Sequence, residues 1–226
     1  ISRRGIAYAY GERYMKKSIM LGELFYPDHL KKRINEIVEW KNLIIKNVYG
    51  SDKLISVKEI SEWIEEFGGK IKDKICDTSV LLDKYYENGK KILFEAQLGT
   101  LRDIYYGIYP YTTSSSTLAT FAPIGGGLPG KKIDSIIGVM KSFSTCVGSG
   151  PFVTEMNEDE AELLRETAYE YGASTGRPRR IGHFDAVASR YGANIQGADE
   201  IAITKVDSLS GQKKLKICTG YNVNGK

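Results

Sequence analysis

From residue 91 onward, short apolar runs of strand length alternate with amphipathic stretches of helix length, and this order constrains the fold more than any other feature. The runs 91–95, 136–143, 199–206 and 214–221 read as strands, and 158–171 and 184–194 carry apolar residues at helical spacing. Strands separated by helices favour parallel pairing, because the crossover carries the chain back along the sheet. The expected class is α/β, with a mostly parallel central sheet flanked by helices. Residues 1–90 read as helical. Pro27-Asp28 can open a helix in which Leu30, Ile34, Ile37, Val38, Leu43 and Ile44 share one face. Val57, Ile60, Ile64 and Phe67 mark a second helix, which Gly68-Gly69 should stop. A third spans 75–86 and ends at Asn88-Gly89. One domain is expected, mainly helical over 1–90, with the sheet over 91–226.

Composition narrows the function classes. Of 226 residues, 42% are apolar and 27% charged, which fits a globular chain rather than a disordered one. The net charge of +4 is the small difference between 32 basic and 28 acidic residues, so a nucleic-acid partner is not expected. Cys76, Cys146 and Cys218 are far apart, and His29 and His183 are not at metal-ligand spacing. A disulfide framework and a zinc site are not expected, and a reducing cytoplasm fits. No apolar run reaches the roughly 18 residues of a membrane span, so no membrane partner is expected. The chain opens on Ile1-Ser2-Arg3-Arg4 without a methionine and stops in a hairpin-like Asn222-Val223-Asn224-Gly225-Lys226. It is expected to be an internal piece of a longer protein.

Four segments could carry chemistry. Gly172-Ala173-Ser174-Thr175-Gly176-Arg177-Pro178-Arg179-Arg180 sets two glycines, two hydroxyls and three guanidiniums in nine residues. Arginines pair bidentately with carboxylates and phosphates, and glycines let the backbone approach a ligand, so a polyanion is the expected guest. Ile201-Ala202-Ile203-Thr204-Lys205-Val206-Asp207 ends an apolar strand in Thr-Lys-x-Asp, and resembles the guanine-reading motif of GTP-binding proteins. A carboxylate there accepts from guanine N1–H and N2–H₂, a pair that adenine does not offer. The 94–103 and 109–115 stretches offer the Gln97 amide and a run of hydroxyls, neutral groups suited to a sugar phosphate or a purine edge. Val147-Gly148-Ser149-Gly150-Pro151-Phe152 is a tight turn without the lysine and helix start of a phosphate loop. The competing readings are a solvated basic loop, a surface Lys–Asp pair and an ordered Ser/Thr turn.

Taken in order, these segments are similar to the adenylosuccinate synthetase family. The matches include Arg4-Gly5-Ile6-Ala7, Leu21-Gly22-Glu23-Leu24, 94–103, 109–115, 147–152 with Thr154-Glu155, 172–180, Phe184-Asp185-Ala186-Val187-Ala188 and 204–207. The resemblance implies a P-loop-NTPase-like fold, present here in part, and a Mg²⁺-dependent cytoplasmic homodimer. That enzyme joins IMP to L-aspartate while GTP becomes GDP and phosphate. By position, Ser2, Lys16, Gln97, Thr113, Val147 and Arg177 fall on IMP contacts. Ala173, Ser174, Thr175, Gly176, Arg177 and Arg179 fall on the aspartate loop. Arg179, Lys205, Val206 and Asp207 fall on GTP contacts.

The departures are informative. The family's Glu-Gly-Ala-Gln-Gly is here Glu95-Ala96-Gln97-Leu98-Gly99, so either Gln97 serves through a backbone shift or Leu98 takes the place without an amide. Lys16 stands where the family has an arginine that reaches the partner subunit, and His183 where it has a tryptophan. The family's Gly-Asp-Glu-Gly-Lys-Gly-Lys loop, with the catalytic Asp base, is absent, and so is the Gly-His-Thr with the catalytic His acid. Both are expected upstream of Ile1, the Mg²⁺ ligands outside this chain, and the rest of the guanine pocket downstream of Lys226. On this reading the chain alone does not turn over. A second reading is a non-catalytic module that binds GTP or another purine nucleotide.

Overall fold

The computed structural model describes residues 5–173 and 176–225. Two compact units divide the chain near residue 91.

The first unit is helical: α1 (Ile6–Tyr14), α2 (Pro27–Asn47), α3 (Val57–Ile71) and α4 (Thr78–Glu87). Pro27 occupies the first turn of α2, where its missing N–H costs nothing, with Asp28 at the positive end and Lys46 at the negative end. Ile34, Ile37 and Val38 bury the face expected of them, while Leu43 stays exposed. Ser56 caps α3 by accepting from Glu59 N–H at 3.3 Å, and Asp77 caps α4 through Ser79 and Val80 N–H. The expected stop at Gly68-Gly69 is not observed: α3 runs on to Ile71. Gly68 is buried against Leu24, and a Cβ there would lie 2.9 Å from a Leu24 methyl. Close packing of this kind offsets the helix penalty of glycine, about 1 kcal/mol.

The second unit holds α5 (Ala122–Gly126), β1 (Ile137–Lys141), β2 (Ser144–Cys146), α6 (Glu158–Ala168), β3 (Arg180–Gly182), β4 (Phe184–Asp185), α7 (Ala186–Gln196), β5 (Glu200–Thr204) and β6 (Ile217–Cys218). The strands form three two-stranded ladders. β1 and β5 run parallel, from Ile137 opposite Glu200 to Lys141 opposite Thr204. β4 and β6 are also parallel, and β2 and β3 antiparallel. Phe143, Ala161, Leu164, Ala168 and Ile181 form the core, with Met156 and Leu209 packed against it. The outer apolar residues of the first ladder, Ile137, Val139, Ile201 and Ile203, are exposed.

The α/β class stands, with several boundaries corrected. The 91–95 run forms no strand, and Leu93 is 92% exposed. That run is held by packing instead of a ladder: Phe94 lies so close to α5 that a Cβ on Gly126 would sit 2.5 Å from its ring. α6 stops at Ala168 because Tyr169 adopts φ +53°. α7 begins two residues late, since Asp185 caps it by accepting from Ala188 N–H at 2.9 Å. β5 ends where Lys205 turns to φ +61°, and only Ile217–Cys218 of the 214–221 run pairs.

Candidate functional site

The long loop after residue 97 is organised by one carboxylate. Asp103 is fully buried. Its Oδ1 accepts from the N–H groups of Tyr105 and Tyr106 at 2.8 and 3.1 Å. Its Oδ2 accepts from Thr117 N–H at 2.7 Å and the Ser116 hydroxyl at 3.1 Å. Burial raises the Asp103 carboxyl pKa, but these donors outweigh it and hold the group below the ordinary aspartate range. A Cβ on Gly107 would strike the Asp103 carbonyl and lie 2.7 Å from that of Leu101, so only glycine closes this turn. From α7, Gln196 donates to Thr100 Oγ1 and the Thr117 carbonyl, and accepts from Ala119 N–H. Thr113 is thereby placed: its N–H donates to the Arg102 carbonyl at 2.8 Å, and its hydroxyl lies 3.3 Å from that of Ser115. Gln97 is exposed, and the next residue, Leu98, holds φ +73°. A leucine in that region is strained, so the one-residue displacement of Gln97 coincides with a distorted backbone.

Two arginines fasten this loop and the arginine loop to the 147–152 turn. Arg102 donates to the carbonyls of Tyr111 and Val147 and to Cys146 Sγ. Arg180 donates to the carbonyls of Gly148 and Gly150 at 3.1 and 3.0 Å and grips Glu155 with a bidentate fork. The Arg180 hydrogen bonds hold the Glu155 carboxyl below its ordinary pKa. A Cβ on Gly150 would lie 2.8 Å from the Tyr111 ring, so the turn and the 109–115 stretch are in contact. Val147 is exposed beside them.

The described arms of the arginine loop pair with each other. Tyr171 bridges Pro178, Gly172 N–H donates to the Arg177 carbonyl at 2.8 Å, and Arg179 N–H to the Glu170 carbonyl at 3.0 Å. Gly176 N–H donates to the Gly172 carbonyl, with Gly176 at φ +62°. Ala173, Gly176 and Arg177 are exposed, while Ser174 and Thr175, like Ser2, lie outside the described residues. Beneath the loop, Glu170 is buried. It takes the Lys141 ammonium on both oxygens at 2.7 Å and Arg179 Nη1 at 2.7 Å. Burial lowers the Lys141 pKa; Glu170 opposes this, and the Arg179 and Lys205 charges add to it. Arg179 Nε is buried without a hydrogen-bond partner among the described residues.

Lys141 ends β1 opposite Thr204, so the ladder sets the Thr-Lys-x-Asp corner beside this cluster. Ser142 fixes the corner by donating to the carbonyls of Thr204 and Lys205. Lys205 Nζ donates to the Ala168 carbonyl at 2.8 Å, which caps the negative end of α6 and leaves the stem half-exposed. Val206 and Asp207 are exposed, and Asp207 opens a 3₁₀ turn.

The structure therefore gathers Thr113, Val147, Arg177, Arg179, Lys205 and Asp207 on connected segments of one unit. Lys16 belongs to the other unit, exposed at φ +60°, with its carbonyl bound by Arg33. His183 is half-buried near Glu160; burial and then Lys216 lower its pKa, against Glu160. Sequence reasoning missed Asp103, Glu170 and the clamping roles of Arg102 and Arg180. An isolated acid beside a basic loop was the one available sign for Glu170.

The adenylosuccinate synthetase family model matches residues 2–226. The chain is 46% identical over 222 residues to adenylosuccinate synthetase 2 of Pseudoalteromonas translucida, covering 98% of this chain and 53% of that protein. It is 41% identical over 225 residues to the adenylosuccinate synthetase of Caldanaerobacter subterraneus, covering 100% and 52%. Among solved structures, the fully ligated adenylosuccinate synthetase from Plasmodium falciparum superposes with a TM-score of 0.86 at 33% identity, over 94% of this chain and 49% of that one. The chain thus spans about half the length of the curated relatives it matches. With the match running from one end of the sequence to the other, the chain belongs to the adenylosuccinate synthetase family.

Proposed function

We propose that the intact protein forms adenylosuccinate from IMP and L-aspartate at the expense of GTP, and that this chain supplies most of the surface that holds the three substrates. One observation carries the reading. The arginine loop and the Thr-Lys-x-Asp corner meet on the same end of α6, through Glu170 and the Ala168 carbonyl, so a polyanion site adjoins a base-reading site. Thr113 meets the IMP phosphate, and Val147 lines its ribose. Arg177 reaches IMP and aspartate, and Ala173, Ser174, Thr175, Gly176 and Arg179 surround the aspartate. Arg179 also faces the GTP phosphates, while Lys205, Val206 and Asp207 read guanine. Either Gln97 or Leu98 meets IMP, at the point where the backbone holds Leu98 at φ +73°.

The chemistry asks for charge neutralisation and positioning. The γ-phosphoryl group of GTP passes to the 6-oxygen of IMP, leaving GDP. The aspartate amine then bonds to C6, the C6–O bond breaks, and phosphate departs. Arginines with fixed guanidiniums suit both anions, because their forks match carboxylate and phosphate without reorganisation. The acid, the base and the phosphate loop come from chain outside these residues. Among the described residues no group of three or more His, Cys, Asp or Glu is placed to hold a metal ion. No helix among them is long and apolar enough to cross a membrane. A cytoplasmic homodimer, in which Lys16 reaches the partner's IMP, completes the proposal.

Arg177→Ala in the intact protein tests it. The KM values for IMP and for aspartate should both rise, because one guanidinium serves both. A change confined to GTP would refute the assignment.

A further inference from the structure

Glu170 is the buried hub between the arginine loop and the strand-end corner, and no substrate role accounts for it. Both ends of Arg179 bind this one residue: its N–H donates to the Glu170 carbonyl, and its Nη1 to the Glu170 carboxylate. The same carboxylate holds Lys141, whose strand position lies opposite Thr204 in the ladder. Lys205 binds the Ala168 carbonyl, two residues before Glu170. Two cations, Lys141 and Arg179, therefore share one carboxylate that is 2% exposed in its side chain. Without that charge they repel, and the arginine on its loop has no fixed direction. A guanidinium fixed before the ligand arrives avoids the cost of ordering it on binding.

We propose that Glu170 is a positioning residue for the ligation: its carboxylate, anchored on Lys141 beside the strand-end corner, aims the Arg179 guanidinium. This rests on the reading that Arg179 meets aspartate and the GTP phosphates. Glu170→Gln keeps the backbone bond and the volume, but its single acceptor oxygen cannot hold both cations, and the charge is gone.

The test is a double-mutant cycle in the intact protein, with steady-state kinetics for each substrate and a melting curve for each variant. Glu170→Gln should raise the KM for aspartate and for GTP about tenfold, the worth of one charge-assisted hydrogen bond, with the KM for IMP unchanged. In an Arg179→Ala background the same change should add less than about twofold, since the residue through which Glu170 acts is gone. A full effect in that background, or no effect in the wild type, overturns the proposal and leaves the reading of Arg179 intact. If Arg179→Ala itself moves neither KM, the reading falls and the proposal with it. Should Glu170→Gln fail to fold, Glu170→Asp keeps the charge but withdraws it by one methylene. A smaller rise in the same two KM values supports the proposal, and wild-type values overturn it.

Discussion

Replacing Asp103 by asparagine separates the charge of this residue from its shape. The carboxylate accepts three backbone N–H groups and one hydroxyl at 2.7–3.1 Å, with the Thr117 hydroxyl at 3.5 Å. An amide offers an oxygen to only one side. With that oxygen facing Tyr105 and Tyr106, its NH₂ faces Thr117 N–H, donor against donor, while the Ser116 hydroxyl can rotate to accept. At least one bond to a charged acceptor is lost and one buried donor is left unpaired, about 2–4 kcal/mol in all. Urea unfolding of the intact protein, followed by circular dichroism, measures the loss. The pH dependence supplies a second readout. The folded pKa of Asp103 lies below its unfolded value, so its stabilisation is present above the unfolded value, about 3.9, and is lost as pH falls through the folded one. The wild type should therefore lose more stability than Asp103→Asn as pH is lowered through that window. Because Thr113 hangs on the Arg102 carbonyl next door, the variant should also raise the KM for IMP. A stability within about 0.5 kcal/mol of wild type, with parallel acid profiles, would refute the reasoning.

Two further predictions follow from the corner and the turn. Asp207→Asn turns a double acceptor into a donor and an acceptor, so kcat/KM for GTP should fall about ten- to a hundredfold and the preference over ATP should shrink; an unchanged GTP-to-ATP ratio rules out its guanine role. Arg180→Lys keeps the charge but cannot serve Glu155 and the carbonyls of Gly148 and Gly150 together, and should cost about 1–3 kcal/mol in urea unfolding; a loss below about 0.5 kcal/mol would show that the clamp is dispensable.

How far the sequence could be read depends on the range of the forces involved. α2 and α4 were legible because their signals are local: Pro27 at a helix start, the buried face of Ile34, Ile37 and Val38, and the Asn88-Gly89 stop. Gly68-Gly69 misled because the contact that offsets the glycine penalty comes from Leu24, 44 positions from Gly68 in the sequence. The 91–95 run has strand composition, but a strand exists only through a partner, and here Phe94 packs on α5 instead. β2 and β3 are three residues each, too short to carry a period. In the site, the loop at 172–180 and the corner at 204–207 stood out because their chemistry is concentrated in adjacent residues. Asp103 and Glu170 did not, because the folded chain must bring Ser116 and Thr117 to the one and Lys141 to the other.

The most direct measurement is the product balance of the intact protein given IMP, L-aspartate and GTP with Mg²⁺. Adenylosuccinate, GDP and phosphate are expected in equal amounts, with no adenylosuccinate formed when aspartate is withheld and little when ATP replaces GTP. Binding of GTP and IMP without adenylosuccinate would contradict the ligase reading and leave a nucleotide-binding module in its place.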